Sequence, residues 1–563
     1  MIAAALVAGV FVLYVATYAS IPAGDGYWVL NNIAQSLVGP PPTVLDKDLL
    51  INPPSALTQY VFFQLKKLGD ILGVSMATLT IIQTVNAAAA GVGAGLVYGI
   101  VRALGGSRLL GVLTGALLAV SFGYWYFANG ELQLLSLVVL IMIVWLIIRV
   151  RVRGAWSPWF VVGVAVLNSV AALLRQENSL FGFAAVALLC IGRPWRPALR
   201  DAVLYALIGS LGTWTAAVLL AKTRHPVGIH DAIQWYLWIF RQHVGAPQDF
   251  QSFEHATRFD VPRVVKGQLT ALIVGTQAVV DSIRDRTLLA HPKAVALGAL
   301  TVVAYGIMAV LAADLWRVRR LVEARLVAVA VACAVWIVTY KVFVHAWLWP
   351  TVTKYQVVTV PPLILLLVLG VIAAQKSVDG ARCALRLGLV AALVVVVFVV
   401  DLWGGILPFR RYGEMKASLE SKRTTEFRAD DLFVSSESGI DPIFARLYQG
   451  GGARHLSVKN VFTDHPARQA LDVIRADIAR QLERNGRVFV YNFVPSTYSL
   501  IAINQSPARA GAPLSARDFE TFFDDLSRTY AVRPLFTYWE ESKAPLYLFG
   551  ERREPFFELS TRS

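Results

Sequence analysis

The sequence predicts an α-helical polytopic membrane protein of about 11 transmembrane helices, followed by a C-terminal α/β domain. Three observations lead to that class. Of the 563 residues, 56% are hydrophobic and only 16% charged, well under the roughly 25% charged residues of a soluble domain. The mean hydropathy is +0.56, and apolar runs of about 18 or more residues, the length that crosses a bilayer, recur along the chain. At Pro408 the composition turns abruptly polar.

The apolar runs place helices near 2–20, 76–101, 108–127, 131–149, 158–175, 178–192, 200–221, 294–314, 325–347, 355–374 and 384–407, the sixth being the shortest. The first run has neither a basic leader nor an Ala-x-Ala cleavage signal, so it reads as a retained helix and not as a secretory signal. Cys190, Cys333 and Cys383 lie in or beside apolar runs without paired spacing, and are most simply small buried hydrophobes.

A net charge of +15 would suggest nucleic acid in a soluble protein. Here the cations sit in every second short loop: Arg102 and Arg108; Arg149, Arg151 and Arg153; Arg193, Arg196 and Arg200; Arg317, Arg319, Arg320 and Arg325; Lys376, Arg382 and Arg386. Positively charged loops mark the cytoplasmic side. The pattern therefore predicts a multi-pass protein of the inner (plasma) membrane with a cytoplasmic N-terminus and membrane lipids, not nucleic acid, as its partner. The outer face receives loop 21–75, the turns near 128–130 and 175–178, loop 222–293 with a Trp-anchored interfacial stretch at 231–244, loop 347–354, and everything after 407. The domains are thus 1–407, transmembrane, and 408–563, a periplasmic or extracellular α/β domain. Short β-rich runs at 432–434, 487–491 and 546–549 alternate there with amphipathic stretches at 467–483 and 516–530.

Ionisable groups at the membrane edge are costly, so those not explained by orientation are functional candidates. Asp25 stands in Pro22-Ala23-Gly24-Asp25-Gly26-Tyr27-Trp28, just past the first helix, either as a turn residue or as an acid presented to a lipid-borne substrate. The same loop carries Asp48 and Asn52-Pro53-Pro54, which opens an amphipathic stretch suited to the interface. Glu131 begins the fourth helix, where it either compensates the helix dipole or contributes an acid. Arg175 and Glu177 share a tight turn as an internal ion pair or as site residues. His345 ends the ninth helix, and Lys354-Tyr355 precedes Pro361-Pro362. Lys354 is a cation on the side that positive residues avoid; it either snorkels or binds the phosphate of a lipid carrier. The histidines of loop 222–293 lack ligand spacing, so no metal site is assigned from them.

In order and sidedness, Gly24-Asp25 after the first helix, Asn52-Pro53-Pro54 and Lys354-Tyr355 before Pro361-Pro362 resemble the GT-C class of membrane glycosyltransferases, which includes protein O-mannosyltransferases and aminoarabinose transferases. The resemblance covers roughly residues 1–410. It implies a GT-C-like fold and an inverting transfer of sugar from a polyprenyl-phosphate-linked donor to a glycan, lipid or protein acceptor on the outer face. It implies Asp25 as the catalytic carboxylate, with Lys354 or Arg175 on the donor phosphate and Glu177, Tyr355, Asn52 and His345 in support. Many relatives have a second acid beside the first-loop Asp. Gly26 and Tyr27 follow here instead, so Glu131 or Asp48 would fill that role. Asn52 also stands where His or Lys usually precedes the Pro-Pro. No cofactor is assigned, and a divalent metal is left open.

Two other classes fit a polytopic chain. A lipid or small-molecule transporter or flippase would show repeated halves and helices broken at mid-membrane, whereas the candidates here gather at one rim. A non-catalytic cell-envelope assembly protein would use the outer domain to bind partners.

Overall fold

The computed structural model describes residues 1–20, 29–30, 33, 56–74, 76–222, 228–230, 233, 261–276, 279–280, 292–318, 323–347, 356–375, 380–411, 413–414, 428, 430–435, 454–458, 461–462, 465–491, 493–494, 503–504, 514–537 and 555–562. These fall into two compact units, a helical one that ends at Arg410 and a second that resumes at Arg411.

The helical unit contains α1 (Ile2–Thr17), α2 (Ala56–Ile71), α3 (Thr78–Ala103), α4 (Arg108–Val120), α5 (Phe122–Phe127), α6 (Gln133–Arg153), α7 (Pro158–Leu174), α8 (Phe181–Cys190), α9 (Trp195–Lys222), α10 (Val261–Leu272), α11 (Pro292–Val318), α12 (Ala324–Trp347), α13 (Val360–Gln375) and α14 (Gly380–Asp401). Among the described residues, seven helices are long and apolar enough to cross a membrane, and α1, α4 and α7 are shorter apolar helices. The chain is a multi-pass membrane protein, and each of the eleven apolar runs is helical.

Two runs differ in detail from the sequence expectation. The run at 108–127 breaks at Ser121, whose hydroxyl donates to Leu118 O at 2.7 Å, and the aromatic α5 follows as a separate short helix. The run at 178–192 is a 3₁₀ turn, Gln176–Leu180, leading into a ten-residue α8. At about 1.5 Å rise per residue that helix is roughly half a bilayer long.

Without a hydrophobic drive between helices in lipid, close approach of small residues holds such bundles together. The run Asn86 to Gly95 supplies it: α3 packs on α1, α4 and α6. A Cβ on Gly91 would stand 2.7 Å from the carbonyl oxygen of Val7, so only glycine permits this spacing. Further along, α14 packs on α4 and α11, α13 on α11 and α12, α8 on α12, and α2 on α3 and α7.

The chain's exit from α1 is pinned by side chains. The Tyr14 hydroxyl donates to Ala119 O at 2.6 Å, Trp125 Nε1 to Thr17 Oγ1 at 2.8 Å, and the backbone N–H of Ala19 to Asn129 Oδ1 at 2.8 Å. Gln83 Nε2 donates to Ala19 O, also at 2.8 Å. The last described residues before the Asp25 segment are therefore fixed against α3 and the turn after α5.

At the opposite helix ends, the arginines of the basic loops are tied down. Arg151 bonds Leu188 O at 2.5 Å, Arg193 bonds Asp201 at 2.9 Å and lies over the Trp156 ring at 3.9 Å.

The second unit holds a five-stranded mixed sheet in the order β2-β1-β3-β5-β4, built from β1 (Leu432–Ser435), β2 (Arg454–Ser457), β3 (Val488–Tyr491), β4 (Tyr530–Thr537) and β5 (Pro555–Thr561). β1 runs parallel to β2 and β3, and β5 antiparallel to β3 and β4. Alternate residues Leu432, Val434, Val488 and Val490 pack with Ile474 and Ile478 of α15 (Ala467–Glu483) and Phe519 of α16 (Ala516–Thr529). Phe433 and Phe489, in register on neighbouring strands, stack at 5.3 Å. Arg487 clamps Asp431 at 3.0 and 2.7 Å. The expected runs at 467–483, 516–530, 432–434 and 487–491 are thus helix, helix, strand and strand, while 546–549 and, apart from Ile233, 231–244 lie outside the described residues.

Gly91→Ala is expected to destabilise the helical unit by about 1–3 kcal/mol through overpacking. Gly9→Ala, where a Cβ would meet nothing within 4 Å, should leave the melting temperature of the purified protein unchanged or raised. Equal melting temperatures for the two variants would show that the contact between α1 and α3 yields freely.

Candidate functional site

The end of the helical unit where α1, α5, α7 and α12 finish and α3, α6 and α13 begin carries a buried polar cluster. Its centre is Arg175, which follows α7 and whose side chain is only 7% exposed. Its Nη1 stands 3.7 Å from Glu131 Oε1, and its Nε donates to Glu177 Oε1 in the 3₁₀ turn. Glu131 is fully buried and Glu177 nearly so. Two carboxylates face one guanidinium, so the ionised trio carries a net charge of −1.

Local structure aims each member. Gly130 has φ 126°, a left-handed conformation natural to glycine, and turns the chain so that Glu131 N–H donates to Phe127 O at 3.0 Å. Glu131 does not begin the fourth helix as expected. That helix starts at Gln133 with Leu132 as its cap, and the carboxylate answers Arg175 instead of the helix dipole. Asn86 of α3 donates to Glu131 O at 2.8 Å, and Thr58 of α2 donates to Leu174 O at 2.9 Å, so α2 and α3 brace the cluster from both sides.

The cluster continues into α12. The Tyr340 hydroxyl donates to Asn178 Oδ1 at 2.5 Å, and Asn178 Nδ2 in turn donates to Ala171 O at 3.2 Å. The next residue, Lys341, donates through Nζ to Gln356 Oε1. Thr359, in the 3₁₀ turn ahead of α13, donates to Gln356 O at 2.9 Å and is bonded to Gln268 Oε1 of α10.

A third carboxylate is buried at the same end. Asp401, the last residue of α14, is 0% exposed and accepts from the backbone N–H of Val274 at 2.7 Å and from that of Phe122. It caps the start of α5 and the segment after α10, and a π turn at Leu402–Ile406 follows it, a geometry frequent at functional sites.

Glu131, Arg175 and Glu177, assigned separately from three turn positions, are thus in one cluster. Asp25, Asp48, Asn52, Lys354 and Tyr355 lie outside the described residues, as does the side chain of His345, whose backbone belongs to α12. Sequence reasoning passed over Lys341, Asp401, Tyr340, Asn178, Gln268 and Gln356. For Lys341 and Asp401 a signal existed, since each is a charge within an otherwise apolar span. Among the described residues no three His, Cys, Asp or Glu side chains come together as a metal site.

Removing Arg175 leaves two buried carboxylates uncompensated, and such losses cost about 3–5 kcal/mol. Arg175→Met is therefore expected to lower the melting temperature sharply, and the triple change Arg175→Met, Glu131→Gln, Glu177→Gln to recover most of the loss. A single Arg175→Met variant as stable as the wild type would remove the ion cluster as a structural element.

No protein-family model and no curated protein matches the chain in sequence. Solved structures do match. The crystal structure of ArnT from Cupriavidus metallidurans bound to undecaprenyl phosphate superposes with a TM-score of 0.54 at 11% identity, covering 99% of this chain and 97% of that one. ArnT in its apo state gives the same TM-score and coverage at 12% identity. The oligosaccharyltransferase of Archaeoglobus fulgidus, in complex with Zn and sulfate, matches at a TM-score of 0.47 and 10% identity over 87% of this chain and 68% of that one. From end to end, the chain has the fold of the ArnT structures, the GT-C-like architecture expected from the order of its motifs.

Proposed function

We propose that this protein is a membrane glycosyltransferase that moves a sugar from a polyprenyl-phosphate-linked donor to an acceptor on the outer face of the membrane. The observation that carries the reading is the match in fold, over nearly the full length of both chains, to an ArnT structure that holds undecaprenyl phosphate. The gathering of buried acid, base and amide groups at one end of the bundle supports it, because a lipid-borne phosphate presents its headgroup at that depth.

In this reading the arginine-rich helix ends face the cytoplasm and the polar end faces outward, with residues 1–407 as the membrane domain and 408–563 as the outer domain. The acceptor approaches the loop after α1. Asp25 takes the proton of an acceptor hydroxyl as its oxygen attacks the anomeric carbon. The bond from that carbon to the phosphate oxygen breaks with inversion, and the polyprenyl phosphate departs with the electron pair. A phosphate needs no strong general acid; it needs positive charge nearby, which Lys354 supplies, while Arg175 stays paired with Glu131 and Glu177. Glu131, engaged with Arg175, serves as its counter-ion, and the role of a second acid falls to Asp48. Glu177 orients Arg175, with Asn52, Tyr355 and His345 in supporting roles.

The test is sugar transfer from a polyprenyl-phosphate-linked donor by purified protein. Asp25→Asn is expected to reduce turnover by a factor of at least about 100, the lower end of what a general base contributes, with an unchanged melting temperature. Wild-type turnover in Asp25→Asn would falsify the catalytic assignment.

A further inference from the structure

We propose that Lys341, with Gln356 and Gln268 around it, is the seat for the phosphate group of the lipid carrier, a role that rests on the transferase reading above. Lys341 lies about two turns inside the C-terminal end of α12 and is partly buried. Among the described residues its ammonium has no carboxylate within 4.0 Å; its hydrogen-bond partner is the neutral Gln356 side chain. A cation placed at the edge of a bilayer without an anion is costly and tends to mark a ligand pathway. An ammonium carries three donors. Gln356 takes one of them, which fixes the group while leaving N–H bonds to offer.

Gln268 points to the same missing partner. Its Oε1 is held by Thr359, and among the described residues its buried Nε2 has no hydrogen-bond acceptor. Leaving a buried amide donor unmade costs about 1–3 kcal/mol. Gln356, Thr359 and Gln268 form a continuous hydrogen-bonded chain from Lys341, so a buried cation and a buried amide donor are presented by one network. Acceptor oxygens with negative charge satisfy both, and a phosphate monoester has them in the required number.

Charge balance at the neighbouring cluster directs the phosphate here. Arg175 is already matched by Glu131 and Glu177, and a net −1 repels an anion. Tyr340, adjacent to Lys341 in sequence, is hydrogen-bonded to Asn178 of the Arg175 turn, so the two clusters are mechanically continuous while carrying opposite charge. The chemistry recognised is a phosphate, which an undecaprenyl carrier, a bulk phospholipid or free phosphate could each present; placement within a membrane helix favours the carrier.

The experiment measures binding of undecaprenyl phosphate, which carries no sugar, to the full-length protein in detergent, by the rise in melting temperature with concentration. The wild type is expected to be stabilised. Lys341→Met should weaken the apparent dissociation constant at least tenfold while the melting temperature without ligand stays level or rises, because a buried charge has been removed. Gln268→Leu, on a different helix, should weaken binding several-fold and keeps the test available if Lys341→Met fails to fold. Neither phosphatidylglycerol nor inorganic phosphate at the same concentration should compete.

Binding by Lys341→Met within twofold of the wild type overturns the proposal, as does a drop in its ligand-free melting temperature with binding intact. Equal competition by phosphatidylglycerol or inorganic phosphate overturns the assignment to the carrier. The two readings separate cleanly. A wild type that binds undecaprenyl phosphate through Lys341 yet transfers no sugar retains the seat and loses the transferase. A transferase whose binding is indifferent to Lys341 does the reverse.

Discussion

A charge buried among helices in a membrane must be answered by another charge, and that constraint organises one end of this protein. Arg175 cannot lie 7% exposed unless anions reach it, and the anions come from two different turns. Glu131 requires the left-handed Gly130 to swing inward. Glu177 requires the chain to tighten into a 3₁₀ turn directly after α7. The short α8 follows from the second requirement, because residues spent on the turn are taken from the span. Helices α2 and α3 then close over the cluster through Thr58 and Asn86.

The two ends of the bundle use charge in different ways. At the basic end, arginines satisfy their donors with backbone carbonyls and ring faces, as Arg151 does at Leu188 and Arg193 at Trp156. Asp201 pairs with Arg193 and Arg200, but the carbonyl and ring contacts neutralise no charge, so the end stays net positive and is well suited to an anionic membrane surface. At the polar end, carboxylates are themselves buried: Glu131 and Glu177 face Arg175, and Asp401 closes α14. The first arrangement is of the kind that biases orientation. The second is expensive to maintain and has no use in orientation, which is why its purpose is sought in binding.

Much of the fold was legible in the sequence, because it rests on averages. A long apolar run reads as helix whatever its detailed order, and each of the eleven runs is helical. The turns holding Glu131, Arg175 and Glu177 were legible for a related reason: charges in connections too short to solvate them stand out. What escaped were single polar residues inside apolar runs. Lys341 is one of two Lys or Arg in the 24 residues of α12, and Asp401 one anion in the 22 of α14, so neither disturbs a hydropathy window. The pairing of Tyr340 with Asn178 joins residues 162 apart, which no local pattern encodes. The break at Ser121 was hidden because Phe122–Phe127 is as apolar as the helix before it.

The unsatisfied groups at the polar end bear on how binding and stability are linked in this protein. Among the described residues, a lysine whose partner is a neutral amide and a glutamine nitrogen with no acceptor are both costly to bury. A ligand that supplies charge and acceptors to both removes those penalties at once, and anything that binds the folded state alone stabilises it. The residues involved come from α10, α12 and the turn before α13, already joined through Gln356 and Thr359, so a ligand that met them would brace all three. A donor that completes this network would hold the carrier phosphate still while the sugar beyond it meets the acceptor, and positioning of that kind is among the largest contributions a protein can make to a transfer reaction.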